Sequence, residues 1–175
     1  MRCYDFYESP QGQMLLVADA AGLCGVYFRG QKYYPPIESP TRRDAQNATL
    51  RQAKRELDEY FSGMRRSFGL ALAPAGTPFQ RSVWNAISTV GYGETISYAE
   101  LARRAGCTGS ARAAGAATGR NPIGIIVPCH RIVGSNGSLT GYAGGLAIKR
   151  ALLALEMPAD QLVLSATPAL PRAAA

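Results

Sequence analysis

Long hydrophobic runs are missing from this 175-residue chain. The apolar stretch Ile123–Pro128 is interrupted by Gly124 and falls far short of the roughly 20 residues a membrane span needs, so no transmembrane helix is expected. The stretch Met1–Glu8 carries acids where an export signal would be apolar, which points to a cytoplasmic protein. The four cysteines, at positions 3, 24, 107 and 129, lack the spacing of a disulfide framework and are expected to be reduced thiols. Histidine occurs once, at 130. Cys3 and Cys24 therefore have no histidine near them to complete a four-ligand set, and no metal is expected. Phosphate-loop and nucleotide-fingerprint motifs are also missing, so no cofactor is expected.

Acidic residues are scarce too: 12 against 19 basic residues, a net charge of +7. The excess lies mostly beyond residue 75, which makes that half the better candidate for contact with a polyanion. The two halves also differ in pattern. Tyr4–Tyr7, Gln13–Ala18 and Leu23–Phe28 read as strands separated by the turn signals Ser9–Gly12 and Asp19–Gly22, giving an antiparallel meander. Leu50, Ala53, Leu57, Tyr60 and Phe61 then recur at helical spacing, with Gly63 behind them, so one helix can cover a face of the sheet. Ala71–Gly76 has no period and reads as a linker between domains 1–75 and 76–175.

In the second domain Thr77-Pro78-Phe79-Gln80 has a capping hydroxyl, proline at the first helical position and glutamine three residues after the cap. Phe79, Val83, Trp84, Ile87 and Val90 form the expected apolar stripe, with Gly91 as terminator. A second capping box, Ser97-Tyr98-Ala99-Glu100, opens a short helix that Gly106 closes, and Ser110 is placed to cap a helix from Ala111 to about Gly119. Two short helices joined by Gly106–Gly109 have helix-turn-helix dimensions. The second of them is smooth, with Arg112 its one long side chain before Arg120. It has little with which to read base edges and suits close approach to a backbone or a minor groove.

The densest chemistry is Pro128-Cys129-His130-Arg131. A thiol reacts as thiolate, so Cys129 needs a base, and His130 is the only imidazole available. In an extended segment neighbouring side chains point to opposite faces, so contact between the two requires a turn or an intervening water.

The segment Ile126-Val127-Pro128-Cys129-His130-Arg131-Ile132-Val133-Gly134 resembles the active-site signature of the O6-alkylguanine-DNA alkyltransferases. The resemblance extends through Thr77–Trp84, Ile96–Tyr98, Ala111–Ala113, Gly119–Pro122 and Gly141–Gly145, covers 77 to about 158 well, and is looser before that. It implies an α/β fold overall: a small ribonuclease-H-like antiparallel sheet with a helix, then a mainly helical domain with the helix-turn-helix. It implies DNA repair by direct damage reversal, a single-turnover methyltransferase that moves the alkyl group from O6-alkylguanine, with some action on O4-alkylthymine, to its own Cys129. His130 would take the thiol proton through a water, Glu156 would orient His130, Asn121 would bond carbonyls around Cys129, and Tyr98 would protonate the leaving base. Tyr142, Ala143 and Gly144 would form the substrate pocket, with the Ala143 N–H as donor to O6; some relatives have serine at that position. Ala111, Ala113, Gly115 and Arg120 would face DNA while Arg112 fills the gap left by a flipped base. The implied partner is double-stranded DNA bound through its minor groove, by a protein that is monomeric without it.

Three other readings fit parts of the chain. A non-repairing sensor of alkylation damage would lack the nucleophile, and Cys129 is present. An operator-reading regulator would need a more polar second helix. A cysteine hydrolase would turn over repeatedly.

Overall fold

Burial alternates along the first strand and becomes nearly continuous along the third, which places that strand against the rest of the molecule on both faces. In this computed structural model, which describes residues 2–107 and 110–157, β1 (Cys3–Ser9), β2 (Gly12–Asp19) and β3 (Gly22–Phe28) form the expected antiparallel meander. A two-residue strand β4 (Arg42–Arg43) adds in parallel to β1, giving the order β3-β2-β1-β4. β4 lies at the end of the polar stretch 31–43, which holds three prolines, and charge and proline hide so short a pairing from any periodicity.

Helix α1 (Ala48–Phe61) starts at Asn47, whose side-chain oxygen accepts from the Leu50 N–H. Its buried Leu50, Ala53, Leu57 and Tyr60 pack with Met14, Leu16, Val26 and Phe28 of the sheet in one core. The segment read as a linker is not free. Leu23 N–H donates to the Ala71 carbonyl at 2.8 Å and Ala73 N–H to the Leu23 carbonyl at 2.8 Å. A Cβ on Gly22 would lie 2.3 Å from the Ala71 oxygen, so glycine is what lets this segment approach. Farther along the same strand, Val26 N–H donates to Pro122 O at 2.8 Å and Gly124 N–H to Val26 O at 3.0 Å. Backbone hydrogen bonds thereby fasten the chain just before Cys129 to the N-terminal sheet.

The helical part contains α2 (Pro78–Ser88), α3 (Tyr98–Arg104), α4 (Ala111–Gly119) and α5 (Leu146–Glu156). Strands β5 (Ile96–Ser97) and β6 (Ile132–Val133) form a parallel pair between them. The capping box of α2 is complete, with Thr77 and Gln80 bonded reciprocally. At α3 it is half made: Ser97 accepts from Glu100 N–H, but the Glu100 carboxylate is held by Arg103 and Arg104 instead. Ser110 makes no side-chain cap bond to α4. Phe79 is exposed rather than part of the α2 stripe, and α2 ends at Thr89, before Gly91. Of the loop expected between α3 and α4, Thr108 and Gly109 lie outside the described residues, as does 158–175 of the second expected domain. Among the described residues no helix is long and apolar enough to cross a membrane.

Trp84, the only tryptophan, is buried on α2 and donates its indole N–H to the Ala117 carbonyl of α4 at 2.9 Å. Leu101 of α3 is fully buried in the same core. Leu101→Ala is expected to lower unfolding stability by about 2–5 kcal/mol. Denaturant titration followed by Trp84 fluorescence measures it, and a loss under about 0.5 kcal/mol, the usual surface value, would contradict this packing.

Candidate active site

The site begins at a distorted backbone. Ile125 has φ +69°, an uncommon value for a β-branched residue. Asn121 holds the neighbouring turn: its amide donates to Val127 O at 2.8 Å and to Cys129 Sγ at 3.1 Å, while its oxygen accepts from Ile123 N–H at 3.0 Å. Cys129–Arg131 then form one 3-10 turn, followed directly by β6. The segment is therefore not extended at Cys129 and His130, and the two side chains leave a turn.

Behind Cys129 lies a buried polar cluster. His130 and Glu156 have no exposed side-chain surface, and His130 Nε2 lies 2.7 Å from Glu156 Oε1. Arg131 grips the same carboxylate bidentately, Nε to Oε2 at 2.7 Å and Nη2 to Oε1 at 3.0 Å, and donates from Nη1 to Val90 O at 2.6 Å. Tyr60 Oη donates to Oε1 at 2.7 Å and Gly93 N–H to Oε2 at 3.2 Å. Burial alone would push the Glu156 carboxyl up, but the hydrogen bonds from His130 and Arg131 pull it down to about 2. An ionised carboxylate only accepts, so Nε2 carries a proton. In the neutral imidazole the lone pair is then on Nδ1, which is buried and has no hydrogen-bond partner among the described residues. Burial lowers the His130 pKa against the pull of Glu156, so the ring is neutral at pH 7. Burial likewise raises the Cys129 thiol, with Asn121 and Lys149 partly offsetting it. The resting pair is thiol and neutral imidazole.

Helix α5 presents Lys149, Leu152, Leu153 and Glu156 to the interior. Two charged residues take core positions because each is fully bonded. Lys149, with no exposed surface, donates to the carbonyls of Ile132 (2.5 Å), Thr140 (2.9 Å) and Gly141 (3.3 Å), tying β6 to the loop that carries Tyr142. Burial lowers its pKa to about 8.

In front of Cys129 opens a cavity of about 500 Å³, lined by Tyr98, Gly115, Gly119, Tyr142 and Ala143, and by Lys32 and Tyr33 from the N-terminal part. This is the size of a small-molecule pocket. Tyr98 Oη donates to Thr140 O at 3.1 Å, and burial holds its hydroxyl protonated. Gly144 packs behind this wall, where a Cβ would lie 3.1 Å from the Tyr142 ring. Arg112, Ala111 and Ala113 are exposed on α4. Arg120 is exposed too, and its guanidinium sits 3.8 Å over the Tyr33 ring.

Sequence reasoning missed Lys32, Tyr33, Tyr60, Arg131 and Lys149. The first two sit in an aperiodic loop and gave no signal. Lys149 stands seven residues before Glu156, on the same helix face, a spacing that could have exposed it. Among the described residues no three His, Cys, Asp or Glu gather as a metal site.

The cluster dictates an acid response. The folded-state pKa of His130 lies below its ordinary 6.5 and that of Glu156 below its ordinary 4.5, so in both windows the unfolded chain binds more protons. Stability is expected to fall as pH drops below 6.5, and to fall again from 4.5 toward 2. Glu156→Gln should cost about 3–5 kcal/mol at pH 7, by stranding Arg131, and flatten the lower limb. Denaturant unfolding across this range checks it; a variant curve parallel to wild type would locate the acid sensitivity elsewhere.

Most of the chain is similar to known proteins. The family model described as the ribonuclease-like domain of 6-O-methylguanine DNA methyltransferase matches residues 3–74, and the model described as its DNA binding domain matches 78–158. The methylated-DNA--protein-cysteine methyltransferase of Methanosarcina acetivorans is 50% identical over 154 residues, 87% of this chain and 97% of that protein. That of Mycobacterium bovis is 44% identical over 160 residues, 90% and 95% of the two. The crystal structure of Mycobacterium tuberculosis OGT in complex with DNA superposes with a TM-score of 0.81 at 41% identity, covering 93% of this chain and 99% of that one. With both halves matched and the order of sheet, helix and helical part shared, this chain belongs to the 6-O-methylguanine DNA methyltransferase family.

Proposed function

We propose that the protein reverses alkylation damage in DNA by moving the alkyl group of O6-alkylguanine onto Cys129, once per molecule. The observation that carries this reading is a thiol on the wall of a base-sized cavity, backed by a histidine whose tautomer is fixed. The alkyl carbon on O6 is attacked by Cys129 sulfur. The S–C bond forms as C–O6 breaks, and the bonding electrons leave on the base. His130 Nδ1 receives the thiol proton through one water, and Glu156 holds the ring for that transfer. Tyr98 gives a proton to the minor-groove nitrogen, so the base departs as neutral guanine. Exchange with solvent returns Tyr98 and His130 to their starting states. The thioether has no hydrolytic exit, which limits each molecule to one reaction.

Asn121 positions Cys129 through its amide, Tyr142 stacks against the base, and the Ala143 N–H donates to O6 as its negative charge grows. With alanine at 143 the backbone is the donor on offer there. Lys32 and Tyr33 close the cavity from the N-terminal part, which in this reading is the domain 1–75.

The target base must leave the duplex to reach Cys129. Exposed Arg112 enters the stack in its place, and the smooth face of Ala111, Ala113 and Gly115 lets α4 approach a minor groove, with Arg120 at its end. The protein acts as a monomer on double-stranded DNA in the cytoplasm, needs no metal or cofactor, and accepts O4-alkylthymine as a second substrate.

Intact-mass measurement after incubation with excess O6-methylguanine oligonucleotide tests the reaction. One methylene per protein is expected, mapped to Cys129, with Cys3, Cys24 and Cys107 unmodified and restored guanine stopping at one equivalent. Cys129→Ser should bind DNA and gain no mass. Turnover beyond one equivalent, or an adduct on another cysteine, would refute the assignment.

Flipping is tested separately. Arg112→Ala should slow repair in duplex DNA by about tenfold or more, the cost of a few kcal/mol of unstacking left unassisted, while transfer from a free benzylated guanine stays near wild type. Equal losses on both substrates would remove the finger role.

A further inference from the structure

The relay just described draws on residues of the helical part, yet one donor to its carboxylate comes from the N-terminal helix. Tyr60, near the end of α1, is fully buried and donates its hydroxyl at 2.7 Å to Glu156 Oε1, the oxygen that also binds His130 Nε2. Glu156 is an acceptor only, so the phenol must donate. The charge of the carboxylate is already balanced by the Arg131 fork, and Gly93, at φ +76°, supplies a further N–H. Tyr60 therefore adds no charge. It adds direction, and it weakens the pull of Oε1 on the imidazole, because an oxygen that accepts three hydrogen bonds accepts each less strongly.

We propose that Tyr60 is a positioning residue for alkyl transfer, through which the N-terminal part fixes the Glu156 carboxylate and thereby tunes His130 as the acceptor of the Cys129 proton. The inference rests on the relay of the preceding section. Its geometry is well suited to a clean substitution: the Tyr60 ring sits in an aromatic cage, with centroids of Phe61 at 5.3 Å, Phe68 at 5.6 Å and Tyr92 at 6.3 Å. Phenylalanine keeps those contacts and removes only the hydroxyl. Titratable and charged groups around the His130–Glu156 pair are Lys149 on the same helix as Glu156, Arg131 and Cys129 in the turn, Tyr60 on α1, Tyr92 before β5, and Tyr142 across the cavity. Of these, only Tyr60 lies on the N-terminal elements.

The chain supplies its own probe, since His130 is its single histidine. Long-range proton–nitrogen NMR of the full-length protein reports the tautomer and titration of that one ring without assignment. In Tyr60→Phe the freed oxygen draws harder on Nε2–H, so the imidazole should become more basic by about tenfold, the scale of one hydrogen bond to a charged group. The acid limb of the transfer rate on O6-methylguanine oligonucleotide should move up in pH with it, while DNA affinity stays unchanged. Phe68→Leu is the control for packing: it should lower the melting temperature and leave the histidine titration in place.

An unchanged titration and an unchanged acid limb in Tyr60→Phe overturn the proposal, as does an equal shift in Phe68→Leu, which would trace the effect to packing. A shifted titration without a shifted rate also overturns it, since the contact would then not bear on transfer. His130→Ala separates the underlying reading: full-rate transfer by that variant discards the relay itself, whatever Tyr60 does to the ring.

Discussion

A carboxylate with no exposed surface organises this molecule. Glu156 ends α5 and receives five hydrogen bonds, from Tyr60, His130, Arg131 twice and Gly93. Left short of donors, a buried carboxylate would protonate or draw in water. Satisfied by donors from α1, the turn after Cys129 and the loop before β5, it becomes the point where separate parts of the chain must meet. The cluster is costly to assemble and is worth little net stability over an apolar replacement. In the proposed relay its effect falls on one imidazole, which is denied one of its two tautomers.

Two buried cations complete the site differently. Arg131 neutralises Glu156 directly. Lys149 meets three backbone carbonyls and has no carboxylate contact among the described residues, and its charge favours the Cys129 anion. The resting thiol is thus close to a positive charge and near a base without being ionised. In the proposed reaction that arrangement keeps Cys129 quiet until a substrate occupies the cavity.

Much of the fold was legible because its signals are local. The strands of the meander are short apolar runs set off by turn residues, Thr77 and Gln80 announce α2 by chemistry that has few other uses, and α4 is delimited by small residues ending at Gly119. The failures have physical causes. Phe79 is apolar but sits on the first turn of α2, where the helix faces solvent. Hydrophobicity alone does not mark the interior face of α5, because Lys149 and Glu156 occupy it. Tyr60 was counted as part of an apolar stripe, which is true of its ring and silent about its hydroxyl. Cys129, His130 and the residues around them were found through a resemblance; a Cys-His dipeptide by itself carries too little information to mark a site.

The β3 edge has a second consequence. An unpaired strand edge is adhesive toward other chains, and proteins commonly blunt theirs with charge, proline or a bulge. Here the edge is occupied from within, by Ala71–Ala73 at one end and Pro122–Gly124 at the other. The second of these guards is also the approach to Cys129. Two of these four backbone hydrogen bonds, those of Val26 with Pro122 and Gly124, thus do double duty, covering the sheet edge and anchoring the segment that leads to Cys129. Any event that pries this segment from Val26 also uncovers that part of the strand edge, so the seat of the Cys129 turn and the protection of the sheet are coupled in the same stretch of backbone.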